Sequence, residues 1–284
     1  MTDYLTCHVV FSGEHIRLEY TGPDPSSFIT TSKTNVVIAF APFDFPFAPK
    51  TVGWGSSSFS KRKIAHVCVF SATPDWYQND EFFDAMKACG AFLGPNADIT
   101  SYGFSMGGYG ALLGANALDA TRAVAVSPQF SIDPAVVKFE RRYSEQWAAM
   151  SGWKYNLSEH MKGSATEYIV LFDPLHRQDS RHEARLPKLS NYQRCLLHGV
   201  GHAGIQALVE MKEQEALFDL LRGVADSREL RLAFRSKRDV SFRYVRKVGT
   251  RLHERKRAAA VGFMELAKRN GFRRLIKKWG PFYP

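Results

Sequence analysis

The chain is poor in the features that mark several common protein classes. Its 284 residues hold four cysteines, Cys7, Cys68, Cys89 and Cys195, whose spacing fits neither a zinc pattern nor a disulfide framework. Ordinary reduced thiols in a reducing compartment are the expectation. No apolar run approaches the roughly 20 residues that cross a bilayer, and the N-terminal Met-Thr-Asp-Tyr-Leu-Thr-Cys has an acid where a secretory leader has Lys or Arg. A soluble, cytoplasmic protein is expected. The glycines from Gly103 to Gly110 lack both the Gly-Lys-Ser/Thr ending of a nucleoside-triphosphate loop and the Gly-x-Gly-x-x-Gly order of a dinucleotide site. With cysteines and histidines scattered, neither a metal nor a cofactor is expected. There is no internal repeat and no low-complexity segment.

Acidic charge is lacking in one part of the chain only. Residues 222–284 hold 19 Lys or Arg against 5 Asp or Glu, a balance of +14, whereas residues 1–221 stand at −4. Such asymmetry points to a separate task for the C-terminus. Its basic stretches, 228–238, 240–257 and 258–279, read as helical. The last sets Phe263, Leu266, Phe272, Leu275, Ile276 and Trp279 among Lys268, Arg269, Arg273, Arg274, Lys277 and Lys278, with a break at Gly271. A helix of this kind lies on an anionic membrane surface, grips an acidic partner, or packs back with its charges solvated. No nucleic-acid motif accompanies the charge, so specific nucleic-acid binding is not expected. Oligomeric state is not legible.

What is present is a series of apolar runs separated by glycine-rich exits. Residues 4–11 and 14–21 alternate like a hairpin, and 23–34 is a polar loop. Asn35 to Phe40 is continuously apolar, as in a parallel strand buried on both faces. Further strands are expected at 64–70, 99–102, from Ala123, at 167–172 and at 192–197, and helices at 81–93, 182–189 and 205–221. An irregular, partly helical excursion fills 130–155. Alternating strands and helices predict a doubly wound, mostly parallel sheet.

The centre of the chain is Asp98-Ile-Thr-Ser-Tyr-Gly103-Phe-Ser105-Met-Gly107-Gly108-Tyr-Gly110. It reads as a strand, a sharp turn that carries a serine, and a helix of small residues. Glycine two residues to either side of Ser105 suits a turn in which a Cβ would clash. This stretch resembles the nucleophile motif of the α/β-hydrolase superfamily, over roughly residues 1 to 222. The resemblance implies a mostly parallel central sheet flanked by helices over 1–221, a lid-like insertion at about 130–160, and a basic helical extension over 222–284.

The resemblance also implies a chemistry. Ser105 is the expected nucleophile and His202, behind the last strand and a glycine, its base. The orienting acid is Asp179 or Asp173: Asp179 fits better by its place just before a helix, Asp173, directly after its strand, by its distance to His202, and Asp179 is preferred. The oxyanion would be bound by the N–H of Met106 and by one from the loop after the first parallel strand; Pro42 has none, which leaves Ala41 or Phe43. Phenylalanines in that loop either wall an acyl pocket or pack over the sheet edge. Trp76 and Tyr77, at a strand's C-terminal end, either line a substrate site or simply pack. The expected activity is hydrolysis or transfer of an acyl group from an ester or thioester, with a small-molecule, acyl-carrier or glycan ester as substrate. The alternative is a noncatalytic protein of the same fold whose basic tail binds an anionic partner. Because the expected triad is complete by His202 and the basic excess follows it, removal of the tail after Leu221 is expected to leave activity on a small soluble ester largely intact.

Overall fold

A computed structural model describes residues 7–28, 33–255 and 258–280. Residues 4–6 of the expected hairpin, 29–32 of the expected polar loop and 256–257 of the second basic stretch lie outside them.

Two kinds of sequence pattern build two kinds of strand. In the opening hairpin, β1 (Cys7–Ser12) pairs antiparallel with β2 (Ile16–Thr21). β2 alternates: Ile16, Leu18 and Tyr20 are fully buried while Arg17, Glu19 and Thr21 face outward, as expected of a strand with one covered face. The continuous apolar runs form the middle of the sheet. β3 (Thr34–Phe40) buries Val36 to Phe40 completely, and after α1 (Ser56–Lys61) every residue of β4 (Ala65–Ser71) is buried. α2 (Phe82–Leu93) leads to β5 (Ala97–Phe104), α3 (Met106–Gly114) and β6 (Arg122–Val126). The excursion holds α4 (Ser144–Ala149) and α5 (Leu157–His160). Then come β7 (Glu167–Phe172), α6 (Arg177–Glu183), β8 (Tyr192–Leu196), α7 (Gly204–Glu210) and α8 (Gln214–Leu221). The chain continues through α9 (Ser227–Lys237), α10 (Phe242–Glu254), α11 (Ala260–Arg269) and α12 (Arg273–Trp279).

The eight strands make one sheet in the order β1-β2-β4-β3-β5-β6-β7-β8. β2 meets β4 antiparallel, whereas β3 pairs parallel with β4 and β5, and β5 with β6. Three local departures from the sequence reading have physical causes. α6 begins at Arg177 rather than near 182, so Asp179 sits in its first turn and is not the cap before it. The helix expected over 205–221 is broken because Lys212 takes a left-handed conformation (φ 58°), and the Glu213 N–H closes back on the Leu208 carbonyl. No glycine marks that stop. α1 has no apolar periodicity; Gly55 at φ 80° opens it and Phe59 is its only buried side chain.

The chain forms two compact units, one of residues up to Val170 with Arg181–Gln193, the other of Leu171–Ser180 with Arg194 onward. This division differs from the boundary expected at 221. In the second unit α9 to α12 bury one face: Leu230, Phe234, Val245 and Trp279 are fully buried, and Leu275 nearly so. Arg273, Arg274, Lys277 and Lys278 are exposed. The basic apolar-striped pattern is thus a packed face beside a solvated one. Among the described residues no helix is long and apolar enough to cross a membrane.

The excursion after β6 is pinned in the first unit by a buried pair. The Phe130 N–H donates to Nδ1 of His182 (3.1 Å), so the ring proton is on Nε2, 2.9 Å from the Glu140 carboxylate. Arg142 closes on the same carboxylate. Burial pushes the Glu140 carboxyl up, but the bonds from His182 and Arg142 outweigh it and hold the group at about 2 instead of 4.5. A carboxylate depressed in this way contributes stability that is complete above pH 4.5 and is lost as pH falls toward 2. Acid titration of the folded protein, followed by circular dichroism, should show a loss of stability in that window. Glu140→Gln should flatten it; an unchanged acid profile in that variant would assign the transition elsewhere.

Candidate active site

In the first unit, β5 ends at Phe104 and Ser105 takes φ 56°, ψ −119° before α3 starts at Met106. Such a backbone is costly for a residue with a side chain and persists only where the surroundings enforce it. Here the Ser105 N–H donates to the Val126 carbonyl (2.9 Å) and its own carbonyl accepts from Tyr109 N–H. Glycine is required on both sides. A Cβ at Gly103 would come 2.0 Å from the Gly107 carbonyl oxygen, and one at Gly107 would come 2.2 Å from the Phe40 carbonyl oxygen. The turn is therefore pressed against the end of β3. Met106 occupies the first helical position, where an N–H has no acceptor within its own helix.

Gln129, in the strand exit after β6, was not singled out by the sequence. It is fully buried. Its Oε1 accepts from Trp76 Nε1 (3.0 Å) and its Nε2 donates to Ser105 Oγ (3.2 Å). Nothing in the local sequence marks it, because its role depends on β5 and β6 lying side by side. Gln129→Leu would leave the buried Trp76 N–H without its acceptor, at a cost of about 1–3 kcal/mol. An unfolding free energy from urea titration lowered by that amount is the expected result; a variant as stable as the native protein would show that the bridge contributes nothing to stability.

The loop expected to supply an oxyanion donor is narrower in options than its sequence. The Ala41 N–H donates to the Val69 carbonyl (3.0 Å), which extends the ladder between β3 and β4. It is committed to the sheet, so Ala41 is withdrawn as a donor and Phe43 remains. Phe43 is partly exposed, its ring stacked at 6.3 Å on Trp76 and edge-on to Tyr143. Trp76 and Tyr77, by contrast, are fully buried, with left-handed backbones at φ 54° and 58°. The Tyr77 hydroxyl donates to the Ala41 carbonyl (2.8 Å), and its ring lies where a Cβ at Gly110 would stand. Of the two readings of this pair, packing is the one the structure carries.

In the second unit the two aspartates separate. Asp173, directly after β7, is completely buried. It accepts the N–H groups of Leu175 (2.9 Å), Gly199 (2.9 Å) and Gly201 (2.7 Å). It therefore ties the exit of β7 to the exit of β8, where Gly199 and Gly201 stand at φ 83° and 74°. Asp179 holds His202: Nδ1 of the ring lies 2.9 and 3.0 Å from the two carboxylate oxygens. Burial pushes the Asp179 carboxyl up, but hydrogen bonds from His176 and His202 outweigh it and keep the group well below the ordinary carboxylate range. His202 is about a quarter exposed and Asp179 hardly at all. An ionised carboxylate on Nδ1 fixes the tautomer with a lone pair on Nε2, as a general base needs. His198 is four residues before His202, but the intervening Gly-Val-Gly is a loop and His198 is exposed.

A second side chain on this carboxylate escaped the sequence. His176 Nδ1 is 3.1 Å from Asp179 Oδ1. The signal was an i, i+3 spacing across the start of α6, visible only once the helix is known to begin at Arg177.

No family model matches the chain, and no curated protein matches it in sequence. Solved structures do match. A capsule O-acetyltransferase of Neisseria meningitidis serogroup A, in complex with CoA, is 14% identical over 74% of this chain and 93% of its own, with a TM-score of 0.52. A thermophilic esterase of Thermogutta terrifontis with butyrate bound is 12% identical over 78% and 95%, again with a TM-score of 0.52. A glycosylation-associate protein complex of Streptococcus agalactiae is 16% identical over 75% of this chain and 46% of that one, at 0.51. At these identities the likeness is one of fold. With its strand order and its serine turn between β5 and α3, this chain has the α/β-hydrolase fold.

Proposed function

We propose that the protein is a serine hydrolase or acyltransferase acting on esters or thioesters. The observation that carries the reading is the strained, glycine-framed Ser105 in a chain whose His202 is oriented by the buried Asp179 carboxylate. Ser105 follows β5, Asp179 follows β7 and His202 follows β8. This order of serine, acid and histidine is the one the fold uses for its triad. The esterase with bound butyrate and the O-acetyltransferase with bound CoA have the same fold, and both names describe acyl chemistry.

In the proposed reaction His202 Nε2 takes the proton of Ser105 as Oγ adds to the acyl carbon. The N–H groups of Met106 and Phe43 receive the charge that develops on oxygen. The protonated His202, stabilised by Asp179, then gives its proton to the leaving oxygen or sulfur, and an acyl-Ser105 remains. Water or an acceptor hydroxyl, deprotonated by His202, completes hydrolysis or transfer.

A fluorophosphonate probe tests the nucleophile directly. Covalent labelling of the native protein, mapped to Ser105 and absent in Ser105→Ala, is expected. A folded native protein that takes no label would instead favour a noncatalytic role. A panel of acyl esters of increasing chain length, with and without an alcohol acceptor, separates hydrolase from transferase.

A further inference from the structure

Two imidazoles and one carboxylate converge in the second unit, and from their arrangement we propose that His176, Asp179 and His202 bind a divalent ion of the zinc type, which arrests the enzyme. The site is new; the arrest rests on the serine-hydrolase reading.

One ligand atom from each of the three residues can be chosen so that all lie within 4.8 Å of one another. The Nδ1 atoms of His176 and His202 are 3.1 and 2.9 Å from the same carboxylate oxygen. Around a tetrahedral zinc with bonds of about 2.0–2.2 Å, neighbouring ligand atoms stand about 3.3–3.5 Å apart. Separation by a few tenths of an ångström therefore opens the space. The two rings face each other at 5.9 Å between centres and 35° between planes.

The ligands sit on organised supports. Asp179 and His176 flank the start of α6, while His202 follows a loop whose Gly199 and Gly201 N–H groups are held by Asp173. Both imidazoles are about one-fifth exposed, and the carboxylate beneath them is buried. An ion thus reaches the site from solvent, and a fourth position is left for water. Two nitrogens and one oxygen favour zinc, cobalt or nickel over magnesium or calcium, which prefer an all-oxygen set.

The consequence for catalysis follows from the tautomer. A base that accepts the Ser105 proton needs its own proton on Nδ1 and a lone pair on Nε2. A metal bound to Nδ1 is held by the lone pair of Nδ1 itself, so that nitrogen carries no proton and the single proton of neutral His202 moves to Nε2. No net proton is gained or lost by the ring, yet the nitrogen required as base has become a donor. The ion also occupies the carboxylate that would stabilise the imidazolium.

Calorimetric titration of the chelator-stripped full chain with zinc sulfate decides the site. One zinc per chain is expected, with affinity lowered at least about tenfold in His176→Ala and likewise in Asp179→Asn, since even outer-shell partners of metal ligands are worth that much. Magnesium should give no saturable heat. Equal zinc affinity in native protein and His176→Ala, or no single-site isotherm, overturns the site. Ester hydrolysis decides the arrest: the native rate should fall in proportion to zinc occupancy. His176→Ala, relative to its own zinc-free rate, should need at least about tenfold more zinc. Native turnover unaffected at full occupancy overturns the arrest. A zinc-free native protein without any esterase activity would count against the hydrolase reading itself, while the isotherm would still decide the metal site.

Discussion

Asp179→Asn is expected to lower kcat by about four orders of magnitude, whereas Asp173→Asn should act chiefly on stability. Replacing the orienting carboxylate of a serine triad by its amide has a cost of about 10⁴ because the histidine is then held in the wrong tautomer. Asp179 is the carboxylate on His202 Nδ1, at 2.9 Å. An asparagine Nδ2 at that place would donate to Nδ1, and the lone pair needed on Nε2 would be lost. Asp173 makes a different set of bonds: three backbone N–H groups converge on its two oxygens. An amide nitrogen there must face at least one of those donors, and leaving a buried N–H without an acceptor costs about 1–3 kcal/mol. The measurement is kcat on a soluble ester beside a urea midpoint for each variant. A large fall in kcat for Asp173→Asn with native stability, and none for Asp179→Asn, would reverse the assignment.

The contrast between these two residues shows where the sequence stops being informative. Both follow the same strand, both precede His202 by a suitable distance, and either can be argued for. What separates them is the path of the β8 exit, where left-handed Gly199 and Gly201 turn their N–H groups onto Asp173. That arrangement is non-local. The elbow, in contrast, was legible because its steric demands are local: glycine at 103 and 107 answers contacts of 2.0 and 2.2 Å with backbone. The inner strands were legible for a similar reason, since burial on both faces leaves no polar alternation in Val36 to Phe40. Gln129 was not, as it acquires its role from residues on other elements, and His176 was not, as its i, i+3 partner shows only once α6 is known to begin at Arg177. Ala41 was offered as a donor because a sequence does not tell which N–H the neighbouring strand has already taken.

Removal of residues 222–284 is expected to leave no soluble, active protein, contrary to what the charge asymmetry of the sequence implies. Net charge averages over a helix, whereas packing acts on one face. On α9 and α10 the inward face carries Leu230, Phe234 and Val245, all fully buried. Each such side chain contributes about 1.5–3 kcal/mol when covered, and the apolar surface opposite them would be exposed by the cut. Three of them already approach the 5–15 kcal/mol that separates folded from unfolded states in a typical domain. The polar contacts point the same way. Ser241 Oγ donates to the Glu210 carboxylate (2.7 Å), which also accepts the Arg243 N–H, and Lys237 pairs with Glu213. α10 also reaches the loop that precedes His202. A Cβ at Gly199 would come 2.5 Å from Val248 and 2.9 Å from Tyr244, and Lys247 lies 3.8 Å from Asp173. The backing of the loop before His202 would therefore go with the tail. Expression of residues 1–221 should give aggregated protein, or soluble protein without fluorophosphonate labelling. A monomeric, fully labelled truncation would restore the view of the tail as an attachment and would refute the packing argument.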